Sequence, residues 1–149
     1  MAIHEEIGDL RGTSMIIYNM GLVYQKDGQN QLAKKHFEQS LAIKQQIGDQ
    51  AGIARRLAVL AGMAIKDEEF EQAIAYLNKS RAVCEEIGEQ PRLLYALNLE
   101  GLLRLIMTEY REAQVVLEKG LKIALAISDY NYVEVFCSNC SEPLNLDTG

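Results

Sequence analysis

Apolar residues in this chain recur at spacings of three and four positions, and the pattern itself returns every 40 residues. A spacing of three or four places side chains on one face of an α-helix. The pattern predicts helices near 10–26, 30–46, 50–66, 70–86, 90–107, 110–126 and 130–141. Short polar turns separate them, so neighbouring helices are expected to be antiparallel.

Residues that lie 40 positions apart are similar in size. This holds for positions in the first helix of each pair and for positions in the second. Small residues form one column in each helix, namely Gly21, Ala61, Gly101 in the first and Ala33, Ala73, Ala113 in the second. Large apolar residues form two more columns: Ile17, Leu57, Leu97 and Phe37, Leu77, Leu117. The small columns predict a close approach of paired helices, and the large ones predict a continuous core.

A tripeptide of the type Ile-Gly-Asp recurs where one helix pair ends and the next begins. It reads Ile7-Gly8-Asp9, Ile47-Gly48-Asp49, Ile87-Gly88-Glu89 and Ile127-Ser128-Asp129. Glycine readily adopts the left-handed conformation that ends a helix. An aspartate in the next position accepts backbone N–H bonds at the start of the following helix. The tripeptide is therefore predicted to stop one helix and start another.

The chain resembles the tetratricopeptide repeat family, because Gly21, Tyr24, Gly28, Ala33 and Phe37 match its signature in the first repeat. The 40-residue version with an Ile-Gly-Asp connector is similar to the repeats of kinesin light chains, LGN/Pins adaptors and bacterial signalling proteins. The resemblance implies an all-α, right-handed superhelical solenoid of antiparallel helix pairs. It implies one domain over 1–142, with full repeats at 10–46, 50–86 and 90–126, a fourth beginning at 130–141, and a disordered tail at 143–149.

The first residues are in phase with the end of a second helix, since 2–7 align with 42–47. This phase predicts that the chain is a fragment of a larger protein. A repeat array whose ends lack polar caps exposes apolar faces. Self-association through such ends is therefore possible.

The resemblance implies that a partner polypeptide binds in a concave groove lined by the first helix of each repeat. The residues it places there are Tyr18, Asn19, Leu22, Lys26, Arg55, Val59, Lys66, Tyr95, Asn98, Leu102, Leu105 and Ile106. The amides of Asn19 and Asn98 suit a ligand backbone, since an amide both donates and accepts. Arg55 and Lys66 suit a carboxylate. The alternative for each residue is an ordinary solvated helix face.

The first helix of the third repeat is apolar nearly all round. Leu102, Leu105 and Ile106 are expected to form an apolar partner surface, more hydrophobic than the repeat-one side, because exposed apolar patches mark interfaces. The alternative is that the helix of the fourth repeat covers them.

The charge of the chain limits its partners. It has 149 residues, a net charge of −6 and a pI near 5.0. Nucleic acid and anionic membranes both need a basic surface, and no apolar stretch is long enough to span a bilayer. We therefore expect a protein or peptide partner, no nucleic acid, no membrane, and a cytoplasmic location.

Cys137-Ser138-Asn139-Cys140 is the one motif that suggests chemistry. A Cys-x-x-Cys pair can exchange disulfides or supply half of a zinc site. Both cysteines fall in apolar columns of a helix, however, which favours core packing. Glu100 also falls in an apolar column, and is expected to reach a basic group or an edge open to solvent because an unpaired buried carboxylate is costly. No phosphate loop, nucleophile elbow or metalloprotease motif is present, so we predict no enzyme activity, no cofactor and no metal.

These observations favour an interaction module that holds a partner polypeptide in its groove. The alternative is a peptide- or small-ligand-sensing regulatory domain of a bacterial signalling protein or transcription regulator. An attached effector domain or a buried polar pocket would favour the sensor.

Overall fold

The computed structural model describes the backbone of residues 2–147 and the side chains of residues 8–139. Within that backbone there are seven α-helices and no strand. They are α1 (Ala2–Lys26), α2 (Asn30–Gln46), α3 (Gln50–Lys66), α4 (Phe70–Ile87), α5 (Gln90–Ile106), α6 (Tyr110–Ala126) and α7 (Tyr130–Asp147). The predicted all-α fold of tandem helix pairs is confirmed.

The chain divides into two compact units, Met1–Val83 and Cys84–Gly149, with the boundary inside α4. In the first unit α2 packs against both α1 and α3. In the second unit α6 packs against both α5 and α7, and α5 also contacts α7. That residues 1–142 form a single domain stays a prediction.

The small columns bring paired helices close together, as predicted. A Cβ added at Gly21 of α1 would lie 2.6 Å from the ring of Phe37 in α2. A Cβ at Gly101 of α5 would likewise overlap the side chain of Leu117 in α6. Such separations are far inside van der Waals contact, so at Gly21 and Gly101 an added methyl group would overlap the facing side chain.

Each connection between helices contains one residue in the left-handed conformation. These residues have φ between 58° and 79° and are Gly28, Gly48, Glu68, Gly88, Thr108 and Ser128. The next residue donates its N–H to the carbonyl five positions back, as when Asp49 N bonds Lys44 O at 3.0 Å. This is the Schellman arrangement that satisfies the last carbonyls of a helix. The connector prediction is confirmed at 47–49 and 127–129. At 87–89 the left-handed Gly88 ends the helix as predicted, but Glu89 makes no side-chain cap bond.

The same prediction is wrong at Ile7-Gly8-Asp9, because α1 continues through these residues as a helix. Gly8 is not among the residues with positive φ, and space is open around it. A left-handed stop is useful where the chain turns back onto a neighbouring helix. Residues 2–7 continue the same helix, and each residue so added gains a backbone hydrogen bond.

The other end of the helical region also differs from the prediction. α7 runs to Asp147, whereas the sequence predicted an end near 141 and a disordered tail over 143–149. Residues 148 and 149 lie outside the described residues.

Asp49 is the strongest of the connector caps. Its Oδ1 accepts the N–H of Gly52 at 3.0 Å, and its Oδ2 accepts a bond from Lys44 Nζ at 3.0 Å. Burial acts to raise the pKa of the Asp49 carboxyl, but the Gly52 and Lys44 bonds outweigh it, so this pKa lies below its ordinary value. Asp129 makes a longer cap bond to Tyr132 N, at 3.3 Å.

We expect Asp49→Ala to lower the free energy of unfolding by about 1–2 kcal/mol, because it removes a helix cap and the partner of a buried amine. Glu89→Ala is the matched control, since Glu89 occupies the same position before α5 but makes no side-chain cap bond. Urea unfolding of both variants at neutral pH measures the difference. Equal losses would contradict the assignment.

The Asp49 contribution also depends on pH. Because the folded pKa is lowered, the stabilisation is present above the ordinary aspartate pKa and disappears as pH falls through the folded value. The stability gap between the wild-type chain and Asp49→Ala should therefore close below about pH 4.

Candidate partner-binding surfaces

Seven of the predicted groove residues lie on α1 and α3, in the first unit. Tyr18, Leu22 and Val59 are half-buried, and they pack against the core cluster that contains Phe37 and Leu60. The other four are exposed: Asn19, Lys26, Arg55 and Lys66. The first-helix face of this unit therefore combines a half-buried apolar floor with exposed polar groups.

Arg56 belongs to this unit and was missed by the sequence analysis. Only 9% of the residue is exposed. Its Nε donates to Ser40 Oγ at 2.7 Å, and its guanidinium carbon lies 3.9 Å from the centre of the Tyr18 ring. Burial lowers the pKa of the guanidinium, and this effect outweighs the opposing one of Tyr18. Among the described side chains, no carboxylate lies within ion-pair distance of Arg56.

The repeats show that packing does not require a cation at this position. Residues 40 positions apart from Arg56 are Ile16, Ala96 and Phe136, all of them apolar. Phe136 is fully buried and lies against Gly120 of α6. The single cation among the four equivalent residues is the sequence signal that could have identified Arg56.

Residues 10–26 of α1 and the whole of α3 carry positive charge only, although the chain as a whole is acidic and Glu5, Glu6 and Asp9 precede this stretch in α1. Between Leu10 and Lys26, and throughout α3, there is no Asp or Glu. The same segments contain five cationic residues, namely Arg11, Lys26, Arg55, Arg56 and Lys66. This face is therefore electropositive and suits an anionic ligand.

The remaining groove candidates lie on α5, in the second unit. Tyr95 and Ile106 are exposed, with Ile106 at 59% exposure, whereas Leu102 and Leu105 are half-buried. Asn98 Oδ1 already accepts a bond of 2.6 Å from Asn139 Nδ2 of α7. The carbonyl that was expected to meet a ligand is thus engaged within the chain, and Asn98 is held in one orientation.

Glu100 reaches a basic group, as expected. Its Oε1 accepts from Arg104 Nε at 3.1 Å, and Arg104 Nη1 also donates to Glu109 at 2.7 Å. Because Arg104 lies one turn further along α5, the buried carboxylate is compensated inside its own unit. It is a structural group and not a ligand anchor.

A family model described as tetratricopeptide repeat matches residues 16–47. Among solved structures, aspartyl phosphate phosphatase F from Bacillus subtilis is similar with a TM-score of 0.82 and 19% identity, over 89% of this chain and 34% of that one. The fold of the chain is that of tetratricopeptide-like helical repeats.

Two further structures show the same fold at low identity. BtubC from P. vanneervenii is 17% identical with a TM-score of 0.66, over 91% of this repeat protein and 65% of BtubC. A kinesin light chain of Podosopora anserina with nearly identical TPR-like repeats is 19% identical with a TM-score of 0.63, over 77% and 56% of the two chains. No curated protein matches by sequence. The repeat protein thus spans about a third of phosphatase F and less than two thirds of the other two.

The interpretation of the cysteine motif needs correction for this repeat protein. Cys137 is exposed and free, whereas core packing was expected. The residues 40 and 80 positions earlier in the same column, Leu97 and Leu57, are both buried. Cys140 lies outside the described side chains. Within the described part of the chain no group of three or more His, Cys, Asp or Glu could hold a metal ion, and no helix is long and apolar enough to cross a membrane.

Proposed function

We propose that this repeat protein is an interaction module that binds an acidic segment of a partner polypeptide on the first-helix face of its N-terminal unit. The observation that supports it is the set of five cations on α1 and α3 with no acid between Leu10 and Lys26 or in α3. Tetratricopeptide folds are typically non-enzymatic scaffolds, which agrees with this role.

The buried guanidinium of Arg56 gives the proposal its chemistry. A charge removed from water is costly unless it is paired. Arg56 bonds a hydroxyl and lies against an aromatic ring, and Asp49 acts on it only from beyond ion-pair distance. A carboxylate from a partner would supply the missing countercharge, and Arg55 next to it would strengthen the field. Guanidinium groups suit carboxylates because they can donate two parallel bonds.

Apolar contacts would add to the affinity for the partner and would fix the position of the partner segment along the face. Tyr18, Leu22 and Val59 form the half-buried floor of the face, and the amide of Asn19 is free to bond a ligand backbone. On the second unit Tyr95, Leu102, Leu105 and Ile106 offer an apolar surface with one polar group, Asn98. We propose this surface as a separate contact for apolar side chains of the partner.

A second candidate is a regulatory sensing domain. The observation that favours it is the likeness to a third of phosphatase F, which shows that such a stack of helices can form part of a larger protein. In that case the ligand would alter an attached domain. A cytoplasmic location stays a prediction for either role.

The proposal is tested by affinity capture from native lysate on the immobilised chain, followed by titration of the captured protein. We expect Arg55→Glu to lower its affinity at least about tenfold, since it reverses a charge at the site. Arg56→Leu should also weaken binding. Lys35→Glu on the exposed side of α2 is the matched control and should change affinity less than about twofold. If Arg55→Glu and Lys35→Glu retain the partner equally, the electropositive face is not the binding surface.

Arg56→Leu has a second readout, which separates a binding role from a structural one. Replacing a buried charge that has no ion-pair partner with an apolar side chain should raise the free energy of unfolding by on the order of 1 kcal/mol. The Oγ of Ser40 keeps its bond to Ser14 at 2.8 Å, so no buried hydroxyl is left without a partner. Lower stability in Arg56→Leu would make Arg56 a structural residue and remove it from the proposal.

A further inference from the structure

The planar guanidinium of Arg56 is held by two different helices. Its Nε donates to Ser40 Oγ of α2 at 2.7 Å, and its central carbon lies 3.9 Å from the centre of the Tyr18 ring of α1. The hydrogen bond fixes one edge of the plane, and the ring covers one face. A long side chain with several rotatable bonds is therefore held in a single orientation.

The groups that hold Arg56 are themselves fixed by the core. Ser40 and Ser14 are both fully buried, and their hydroxyl oxygens lie 2.8 Å apart. Each hydroxyl also lies close to the carbonyl of the other residue, at 3.2 Å for Ser14 Oγ and 3.1 Å for Ser40 Oγ. The Tyr18 ring packs against the buried ring of Phe37, with 5.3 Å between the two centres. Ser40 and Tyr18 therefore cannot follow a displaced guanidinium.

The edge of the guanidinium that points away from Ser40 carries the nitrogens Nη1 and Nη2. Neither of them forms a hydrogen bond or an ion pair with a described residue. Among the described residues, the side-chain atom that is both buried and unbonded is Arg92 Nε, so the two Nη groups of Arg56 reach solvent. Two parallel N–H donors on one fixed edge match the two oxygens of a carboxylate.

The second unit shows that the fold does not require this polar arrangement. The residues 80 positions after Ser14, Ser40 and Arg56 are Leu94, Gly120 and Phe136. Leu94 and Phe136 are fully buried, and the ring of Phe136 occupies the space beside Gly120. Apolar packing thus closes the same three columns there. The serine pair and the arginine of the first unit meet a requirement other than packing.

We propose that Ser40 and Tyr18 are positioning residues for a carboxylate site at the Nη edge of Arg56, and that this site binds an aspartate or glutamate side chain of the partner. The inference rests on the proposed function, which supplies the acidic segment. A single carboxylate receives two parallel bonds from the fixed edge. Little side-chain freedom is lost on binding, because the guanidinium is already oriented. Arg55 is exposed and would attract neighbouring carboxylates of the segment without fixing their position.

The test is a titration of a fluorescein-labelled, C-terminally amidated hexaglutamate peptide with the full chain, followed by fluorescence anisotropy at constant ionic strength. We expect saturable binding to the wild-type chain. Ser40→Ala should weaken it about tenfold, since the Nε of Arg56 loses its acceptor and the guanidinium its orientation. Ser80→Ala is the matched control, because Ser80 is equally buried but bonds Ala54 O at 3.0 Å instead of Arg56. It should change affinity less than about twofold.

Two substitutions at one position test the ring of Tyr18. Tyr18→Leu removes the aromatic face on which the guanidinium rests and should weaken hexaglutamate binding about three- to tenfold. Tyr18→Phe keeps that face and should retain the affinity within about twofold. Rescue by phenylalanine assigns the effect to the ring and not to the hydroxyl group.

A spectroscopic signature separates positioning from a general loss of stability. The Nε–H of Arg56 is buried and bonded, so its proton should exchange slowly with water and give a resolved ¹⁵N–¹H signal, identified by its absence in Arg56→Leu. Hexaglutamate should shift this signal in the wild-type chain. Ser40→Ala should abolish the slow exchange, whereas Ser80→Ala should leave it unchanged.

The outcomes distinguish this inference from the proposed function. If Arg56→Leu lowers the affinity for hexaglutamate but Ser40→Ala and Tyr18→Leu do not, the face binds acidic segments and the positioning role alone is wrong. Equal losses of affinity in Ser40→Ala and Ser80→Ala would indicate a stability effect and would also overturn the positioning role. If the wild-type chain does not bind the peptide at about 1 mM, or if Arg55→Glu and Arg56→Leu leave its affinity unchanged, the proposed function fails as well.

Discussion

Phe37→Ala is expected to lower the free energy of unfolding by about 3–5 kcal/mol, the largest loss from any single truncation in the first unit. Phe37 is fully buried and belongs to the cluster that joins α2 to α3 through Leu60 and Met63. Its ring also lies 5.3 Å from that of Tyr18 on α1. The loss is large because one side chain connects three helices, and because the cavity left behind can collapse only in part.

Val115→Ala on the exposed side of α6 is the control for this truncation, and it should change stability by less than about 0.5 kcal/mol. Urea unfolding followed by circular dichroism measures both. A chain of two compact units can unfold in two steps, so each variant is compared in the transition of its own unit, the first for Phe37→Ala and the second for Val115→Ala. A loss below about 1 kcal/mol for Phe37→Ala would show that α2 is not the centre of that unit.

Gly101→Ala should destabilise the second unit by about 1–2 kcal/mol, even though alanine is the better helix former. The added methyl group would overlap the side chain of Leu117, which is fully buried and cannot move aside freely. Overpacking therefore exceeds the gain in helix propensity.

Gly62→Ala is the same substitution in the interior of α3, where no heavy atom lies within 4 Å of the new methyl group. It should raise the free energy of unfolding by about 0.5–1 kcal/mol. The same chemical change is therefore expected to lower the free energy of unfolding at Gly101 and to raise it at Gly62. Thermal or urea unfolding of the two variants measures both effects. If both variants gain stability, α5 and α6 do not approach each other closely enough at Gly101 for a methyl group to overlap Leu117.

The bounds of α2 to α6 follow from the sequence within one residue, because each of these helices is enclosed by connectors that repeat. A repeated connector is a strong signal, since it combines a glycine with a polar cap at a fixed distance from the apolar columns. Thr108 and Ser128 show the limit of this signal. Both take the left-handed conformation without being glycine, and their positions in the period are what indicated it.

The sequence was less informative wherever a residue depends on a neighbour that its own repeat does not supply. Gly8 has the same flanking residues as Gly48, yet only Gly48 lies where the chain turns back. Ile16, Met20, Val23 and Cys137 are exposed, although the residues 40 positions away in their columns, Arg56, Leu60, Met63 and Leu97, are buried. Arg56 was missed because the groove positions came from the family resemblance, and its own column was not compared.

The left-handed residues recur every 20 positions from Gly28 to Ser128, and this regularity restricts how such a chain can change in length. Inserting one residue inside a helix would rotate every later side chain of that helix by about 100° and misalign its faces with both neighbours. Whole 40-residue blocks, in contrast, preserve every angle. The architecture therefore tolerates a change in chain length best when entire helix pairs are duplicated or deleted.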